Sequence, residues 1–367
     1  MIYLDNSATT KTKKEVLETF VQVSERYYGN PASLHRIGNE AEDLLEKART
    51  QIKQSVNMEQ VVFTSGGTES NTLALIGTAK AYQHRGKHII TAATEHASVL
   101  NNLKTLVKEG FEVTVLPVDS QGNLNLAELE KSLRHDTILV SLMHVNNETG
   151  AVHPIEEIRK ILKGSRAFLH VDAVQSFGRI PLPKESMPDL LTISAHKIHG
   201  LKGSGLLAFN NLLPDAVQQG GGQEFGIRSG TVSVPHAAAL ARTVRLAEPN
   251  PDFARWNEEL RIFFSDLPHV HIVSPKNAAP HILAVSVSSV RGEILVSALQ
   301  KESVIVSTSS ACSSKGKGTS HVIDAMGLPR EYKEGVMRIS FGAFTTDQEI
   351  KQLKKAFLKV YDLIKGV

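Results

Sequence analysis

The sequence predicts an α/β fold, in which a mostly parallel sheet is covered by helices and a smaller α+β domain is attached. Three observations lead to this prediction. Strand and helix patterns alternate along the chain from about residue 59 to residue 172, as in repeated βα units. The predicted strands are almost continuously apolar, which indicates burial on both faces of the sheet. After about residue 247 the alternation ends, and longer helices mix with strands.

Helices are predicted where apolar residues recur every three to four positions and charged residues occupy the outer face. They cover residues 12–28, 41–56, 69–82, 98–109, 126–133, 154–162 and 347–364. Strands are predicted at short apolar runs bounded by turn residues. They cover residues 59–65, 88–92, 112–117, 137–144, 167–172, 189–194, 271–273, 281–288 and 337–341.

The domain limits follow from a change in composition. Residues 248–252, Glu-Pro-Asn-Pro-Asp, have the composition of a linker. We therefore expect a large α/β domain at residues 14–247. Residues 1–13 and 248–367 are expected to form the small α+β domain.

Composition narrows the class of protein. The chain has 367 residues, of which 41% are hydrophobic and 22% charged, so it can bury a large core. A net charge of +3, with Lys and Arg spread along the chain, does not indicate binding of nucleic acid. The longest apolar runs are strand-sized, and the N-terminus lacks the pattern of a signal peptide. The single cysteine, Cys312, cannot form an internal disulfide, and we expect a cytoplasmic protein with no membrane partner.

A glycine turn follows the strand predicted at residues 59–65. The turn, Ser65-Gly66-Gly67-Thr68, opens a predicted helix. Free backbone N–H groups and the helix dipole at such a position suit a phosphate group, and the Thr68 hydroxyl would add a donor. The same residues are also an ordinary helix start, so the turn alone is a weak signal.

Polar and charged residues follow other strands of the predicted sheet. Asp172 ends one strand, His96 follows another, and Lys197 follows the strand at residues 189–194. Since the carboxyl ends of parallel strands lie at one edge, these side chains are expected to converge there. Singly, Lys197 could be a solvated loop lysine, Asp172 a helix cap and His96 a satisfied polar residue.

Together, these groups match the requirements of pyridoxal 5'-phosphate. A lysine forms a Schiff base with this cofactor, and an aspartate pairs with its pyridinium nitrogen. A helix N-terminus binds its phosphate. The convergence of Lys197, Asp172, His96 and the glycine turn therefore favours a site for this cofactor. No metal site is predicted.

Ten short motifs, in order, resemble the cysteine desulfurases of the NifS/IscS type, fold-type-I enzymes of the class-V aminotransferase family that depend on pyridoxal 5'-phosphate. The resemblance runs from residue 2 to about residue 350. The motifs are YLDNSATT, GNPASLH, FTSGGTESN, TEHASV, MHVNNETG, HVDAVQSFG, SAHKIHGLKG, GGGQEFGIRSGT, SSACSS and RISFGAFTT.

The resemblance implies a role for each matching residue. Lys197 would form the Schiff base, Asp172 would contact the pyridinium nitrogen, and His96 would stack on the ring and transfer protons. Thr231 would reach the cofactor phosphate of a neighbouring subunit, which implies a homodimer. His199, in the lysine motif, is expected to be structural. The implied phosphate ligands are Gly67, Thr68, Ser194 and His196, and the implied ligands on the ring hydroxyl side are Asn147 and Gln175.

Cys312 lies among small and polar residues, SSACSSKGKG, which is the composition of an exposed loop. The resemblance implies that its thiolate attacks the sulfur of L-cysteine, leaving L-alanine and a persulfide on Cys312. The sulfur would then pass to an acceptor protein for iron–sulfur assembly or for thiolation of tRNA or a cofactor. Lys315 and Lys317 are close in sequence and would favour the thiolate.

The last motif departs from the family pattern. Many members have an arginine, two residues before the Thr-Thr pair, that binds the substrate carboxylate, and Ala343 occupies that position here. Asn147 and Arg338 are the nearest candidates to bind the carboxylate instead. We therefore keep two alternatives to a cysteine desulfurase: a selenocysteine lyase, and a non-catalytic subunit that docks sulfur-transfer partners.

Overall fold

A computed structural model describes residues 1–182, 185–308 and 319–365 of the chain. Its strands are β1 Ile2–Tyr3, β2 Gln60–Thr64, β3 His88–Ala92, β4 Glu112–Leu116, β5 Thr137–Met143, β6 Phe168–Asp172, β7 Leu190–Ser194, β8 Gly205–Phe209, β9 Val270–Ile272, β10 Ile282–Val287, β11 Val304–Ile305, β12 Ser307–Thr308 and β13 Val336–Ser340. Its helices are α1 Lys14–Arg26, α2 Arg36–Val56, α3 Gly67–Thr72, α4 Thr78–Tyr82, α5 Ala97–Lys108, α6 Leu126–Ser132, α7 Ile155–Ile161, α8 Val234–Arg245, α9 Asp252–Ser265, α10 Gly292–Lys301, α11 His321–Ala325, α12 Arg330–Lys333 and α13 Asp347–Lys365.

The central sheet has seven strands in the order β2-β8-β7-β6-β5-β3-β4. All strands except β8 run in the same direction, which confirms the predicted mostly parallel sheet. The carboxyl ends of β2, β3, β5, β6 and β7 therefore lie at one rim. Strand β8 was missed by the sequence analysis because no helix separates it from β7, so it breaks the βα alternation on which the prediction relied.

Apolar side chains cover both faces of the central sheet. In β8, Leu206 belongs to the core shared with α2 and α8, whereas its neighbour Leu207 belongs to the core shared with α4 and α5. Successive side chains of a strand point to opposite faces, so a sheet buried on both faces needs a nearly continuous apolar run. The two apolar cores pack the central sheet between two layers of helices.

A second, antiparallel sheet has the order β12-β13-β10-β9. Its core contains Leu283, Ile339 and Phe357, and it also takes in Ile2 and Leu4 from the start of the chain. The N-terminal residues thus join the C-terminal part of the protein through packing and through the pairing of β1 with β11. This grouping supports the predicted small domain of residues 1–13 and 248–367, whose limits stay a prediction.

Two helices begin two or more residues earlier than predicted. Helix α2 begins at Arg36, five residues before the predicted start, because the His35 side chain accepts a hydrogen bond from the Gly38 N–H at 3.1 Å and caps the helix. Histidine is not a common N-cap, so this helix start has only a weak signal in the sequence. The predicted helix at 69–82 begins at Gly67 and passes through a π-helical turn, Leu73–Gly77, between α3 and α4.

Among the helices of the described residues, none combines the length and the apolar character needed to cross a lipid bilayer.

A buried ion pair joins α2 to the segment that precedes α8. The side chains of Arg49 and Glu224 are 4% and 1% exposed, and two hydrogen bonds of 2.7 and 2.9 Å connect them. Glu224 also accepts a hydrogen bond from the Phe63 N–H in β2. The pair therefore ties a covering helix to an edge strand of the central sheet.

Replacing Arg49 with methionine should destabilise the protein by about 3–5 kcal/mol, because Glu224 would stay buried without its cation. Urea unfolding of the apoprotein measures the effect. The double variant Arg49→Met/Glu224→Gln should recover much of the loss, since no uncompensated charge remains. Equal stability of Arg49→Met and the wild type would contradict the structural role given to this pair.

Candidate active site

A cavity of about 220 Å³ lies at the rim of the central sheet, between the two sheets. It is where the carboxyl ends of the parallel strands meet residues from the start and the end of the chain. Of the site residues predicted from the sequence, its wall contains Gly67, Thr68, His96, Asn147, Asp172, Gln175, Ser194, His196, Lys197 and Arg338.

Lys197 ends a short 3₁₀ turn, Ala195–Lys197, that directly follows β7. Its Nζ donates hydrogen bonds to the backbone carbonyls of Ser7 at 2.6 Å and Ala8 at 3.0 Å. The backbone carbonyl of Lys197 accepts a hydrogen bond from Arg179. The amine is therefore held at the cavity wall, in a fixed orientation, by the N-terminal segment.

Asp172 is the last residue of β6 and is only 6% exposed. Its Oδ2 accepts a hydrogen bond of 2.8 Å from the Asn71 side-chain amide, and its Oδ1 accepts one of 2.9 Å from the Val174 N–H. Neither donor is charged. A buried carboxylate held by neutral donors is suited to a cationic partner on a ligand.

His96 caps the N-terminus of α5. Its Nδ1 accepts a hydrogen bond from the Ser98 N–H at 3.1 Å and lies 2.8 Å from the Ser98 hydroxyl. Because Nδ1 is an acceptor here, the neutral ring has its proton on Nε2. Burial lowers the pKa of the His96 imidazole, and the nearby Asp172 carboxylate acts in the opposite sense.

Asn71 connects these two residues, and the sequence analysis did not identify it. Its amide nitrogen donates to Asp172 and also to the Ser98 hydroxyl, at 2.9 Å, so that a chain of hydrogen bonds runs from Asp172 to His96. The sequence contains one signal for it. Asn71 follows Gly67 by four positions, a spacing that places it on the same face of a helix that starts at the rim.

The part of the cavity wall around the start of α3 can accommodate an anion. Helix α3 begins there at Gly67, where a Cβ atom would lie 2.9 Å from Val174 Cγ2, so only glycine fits without a shift. The buried hydroxyl of Ser194 has no hydrogen-bond partner among the described residues. His196 bonds the Thr9 hydroxyl, and burial lowers the pKa of its ring to about 4. Free N–H groups at a helix start and an unsatisfied hydroxyl suit a phosphate.

Three other predicted site residues lie around Lys197 and β13. Gln175 donates a hydrogen bond of 2.9 Å to the Ser7 carbonyl. The backbone carbonyl of Asn147 accepts a hydrogen bond of 2.8 Å from Arg338, whose guanidinium also bonds Asp5 at 2.7 Å. Arg338 is 3% exposed, and its Nε has no partner within the part of the chain that the structure describes.

Some predicted residues lie elsewhere. Thr231 is exposed and lines a separate surface pocket, so it does not contribute to the cavity of its own chain. Cys312 lies outside the described residues. Ala343 is exposed and absent from the cavity wall, and its N–H donates to His199 Nε2 at 3.0 Å. His199 also bonds the Lys11 carbonyl, which agrees with the structural role expected for it.

The model of the aminotransferase class-V family matches residues 2–353 of the chain. The chain belongs to this family. A NifS/IcsS protein homolog of Lactobacillus delbrueckii subsp. bulgaricus is 41% identical over 98% of this chain and 97% of its own length. The cysteine desulfurase IscS of Dictyoglomus turgidum is 38% identical over 100% of this chain and 96% of its own length. A solved NifS-like protein superposes with a TM-score of 0.90 at 35% identity and covers 100% of both chains.

The family assignment confirms the NifS/IscS resemblance and the α/β fold, and it makes pyridoxal 5'-phosphate the cofactor. The cavity fits this cofactor. Lys197 offers an amine, Asp172 a buried carboxylate for the ring nitrogen, and the α3 start with Ser194 an anion site.

The variant Lys197→Ala should lose covalently bound cofactor, because Lys197 supplies the amine at the cavity wall. The measurement is borohydride reduction of the holoprotein, followed by denaturation and peptide mapping. The wild type should retain the cofactor on the peptide that contains Lys197, and Lys202→Ala, on the same loop, should behave like the wild type. A reduced adduct on another lysine of Lys197→Ala would show that the attachment site is wrong.

Proposed function

We propose that the protein removes sulfur from L-cysteine, releasing L-alanine and leaving a persulfide on Cys312. The observation that carries this proposal is the joint placement of Lys197, Asp172 and His96 around one cavity in a chain related over its whole length to cysteine desulfurases. In the overall step the enzyme thiol and L-cysteine become the enzyme persulfide and L-alanine. The Cβ–S bond of the substrate and the S–H bond of the enzyme thiol break, while an S–S bond and a Cβ–H bond form.

Bound pyridoxal phosphate supplies an electron sink that weakens the Cα–H bond of an amino acid. The carboxylate of Asp172 stabilises positive charge on the ring nitrogen, and Asn71 fixes the orientation of that carboxylate. Because Asn71 also bonds Ser98, the same network orients the ring of His96. One connected set of hydrogen bonds therefore positions both residues.

Lys197 Nζ is the base that takes the Cα proton. The carbonyls of Ser7 and Ala8, at 2.6 and 3.0 Å, accept hydrogen bonds from the ammonium that results. These two contacts stabilise the protonated amine after the transfer and keep it at the cavity wall. After Lys197, His96 is the other proton-transfer group of the site. It donates from Nε2–H, because its Nδ1 accepts a hydrogen bond from the Ser98 N–H.

Arg338 is our candidate for binding the substrate carboxylate, and Asn147 lies beside it. Arg338 lines the cavity, is almost completely buried and has an unsatisfied Nε–H. Ala343, where many family members have an arginine, is exposed and outside the cavity wall. The alanine at this position therefore does not leave the carboxylate without a partner.

The described residues on either side of positions 309–318, which include Cys312, contact cavity residues or their neighbours in the chain. Ser307, before the segment, pairs with Arg338 in the small sheet. After it, the Ser320 hydroxyl donates to Glu148 at 2.5 Å, and His321 Nε2 donates to the Glu95 carbonyl at 2.9 Å. Glu148 is the neighbour of Asn147, and Glu95 is the neighbour of His96. These attachments support a Cys312 thiol that reaches the substrate sulfur.

We also propose two partners for this protein: a protein that accepts the sulfur, and a second copy of the chain. Relatives of the chain are named cysteine desulfurases, and we propose that the persulfide sulfur of Cys312 passes to an acceptor protein. We assign this chain a cytoplasmic role in iron–sulfur assembly or thiolation. We also propose that Thr231 contacts a second copy of the chain; its exposure, in a surface pocket shared with Arg228, supports this contact.

The variant Cys312→Ala should bind cofactor normally but form no persulfide, because the chain has no other cysteine. Without added thiol it should also release no sulfide from L-cysteine. Sulfide release and intact-protein mass are the measurements, and Ser313→Ala is the matched control, which should form persulfide like the wild type. Sulfide release by Cys312→Ala at the wild-type rate would refute the role of this thiol.

A further inference from the structure

Ser7 lies in the turn after β1 and is one of the residues that line the cavity, although it is only 1% exposed. Its backbone is fixed from both sides. The N–H donates to the Ser340 hydroxyl at 2.8 Å, and the carbonyl accepts from Lys197 Nζ and from Gln175 Nε2. The position of Ser7 is therefore set by backbone contacts that do not involve its hydroxyl.

The Ser7 hydroxyl itself has no hydrogen-bond partner in the described ranges 1–182, 185–308 and 319–365. Burying a hydroxyl without a partner is unfavourable, and most buried polar groups in native proteins are satisfied. An unsatisfied hydroxyl at the wall of a ligand cavity indicates a partner on the ligand.

A second unsatisfied donor belongs to a residue of the same cavity wall. Arg338 lines the cavity, and its Nε also has no partner within the described part of the chain. Hydrogen bonds between the N-terminal turn and β13 connect the surroundings of Ser7 and Arg338. Arg338 bonds Asp5, two residues before Ser7, while Ser340, two residues after Arg338 on the same face of β13, bonds the Ser7 N–H.

We infer that Ser7 Oγ is a substrate-binding residue that donates a hydrogen bond to the α-carboxylate of the amino-acid substrate, beside Arg338. A carboxylate has two oxygens and only accepts hydrogen bonds, so it can satisfy both donors at once. A neutral amide in the same place has one acceptor oxygen and no charge, and its NH2 group would face one of the two donors, so it would satisfy them less well. The identity of the substrate class rests on the function proposed above.

The test compares Ser7→Ala with the wild-type holoenzyme in titrations with L-alanine and with L-alaninamide, followed by cofactor absorbance. Loss of one hydrogen bond should raise the Kd for L-alanine about 3- to 10-fold. The Kd for L-alaninamide, which has no carboxylate, should change by less than about twofold. The melting temperature of the Ser7→Ala apoprotein should not fall, because the substitution removes no contact within the protein.

Ser286→Ala is the matched control, because Ser286 is a buried serine of β10 whose hydroxyl donates to the Tyr332 carbonyl at 2.6 Å, away from the cavity. It should lower the melting temperature and leave both Kd values unchanged. An unchanged Kd for L-alanine in Ser7→Ala, an equal loss for both ligands, or a fall in melting temperature like that of Ser286→Ala would each overturn the inference.

The inference about Ser7 and the proposed function can each fail without the other. If the wild type released no sulfur from L-cysteine but bound L-alanine through Ser7, the function would fail and the carboxylate site would stand. If the wild type desulfurated L-cysteine and Ser7→Ala bound L-alanine as tightly as the wild type, only the inference about Ser7 would fail.

Discussion

A buried carboxylate with neutral partners is the constraint on which the site depends. Asp172 lies at the end of a central strand, 6% exposed, and its two hydrogen bonds come from an amide side chain and a backbone N–H. Burying an ionised carboxylate is costly unless a cation compensates it. We propose that the pyridinium nitrogen of the cofactor supplies that cation.

The fold brings the other groups to the same rim because the strands that carry them run in one direction. Lys197 follows β7, His96 follows β3, and α3 begins after β2. Arg338 of the small sheet forms another part of the cavity wall. The N-terminal turn lies between the small sheet and the central sheet. The hydrogen bonds from Lys197 to Ser7 and Ala8, together with the bond from the Ser7 N–H to Ser340, therefore connect Lys197 to the small sheet.

Much of this arrangement could be predicted from the sequence, because it depends on local patterns. Short apolar runs predicted the strands of the parallel sheet. Polar residues at or after the ends of these strands predicted Lys197, Asp172 and His96 as site residues. Asn71 and β8 were missed, since a helix-borne amide and a strand outside the βα alternation have weak local signals. The unsatisfied hydroxyl of Ser7 was also out of reach, because the lack of a partner depends on residues more than 300 positions away, such as Arg338 and Ser340.

The most direct test of the role of Asp172 is the exchange of the α-hydrogen of L-alanine for deuterium in D₂O, measured by NMR for wild-type and Asp172→Asn holoenzymes. The reaction needs no sulfur transfer, so it isolates the cofactor site. Loss of the carboxylate charge should slow exchange on the order of a hundredfold or more at equal cofactor content. Exchange at the wild-type rate in Asp172→Asn would contradict a site organised around this buried charge.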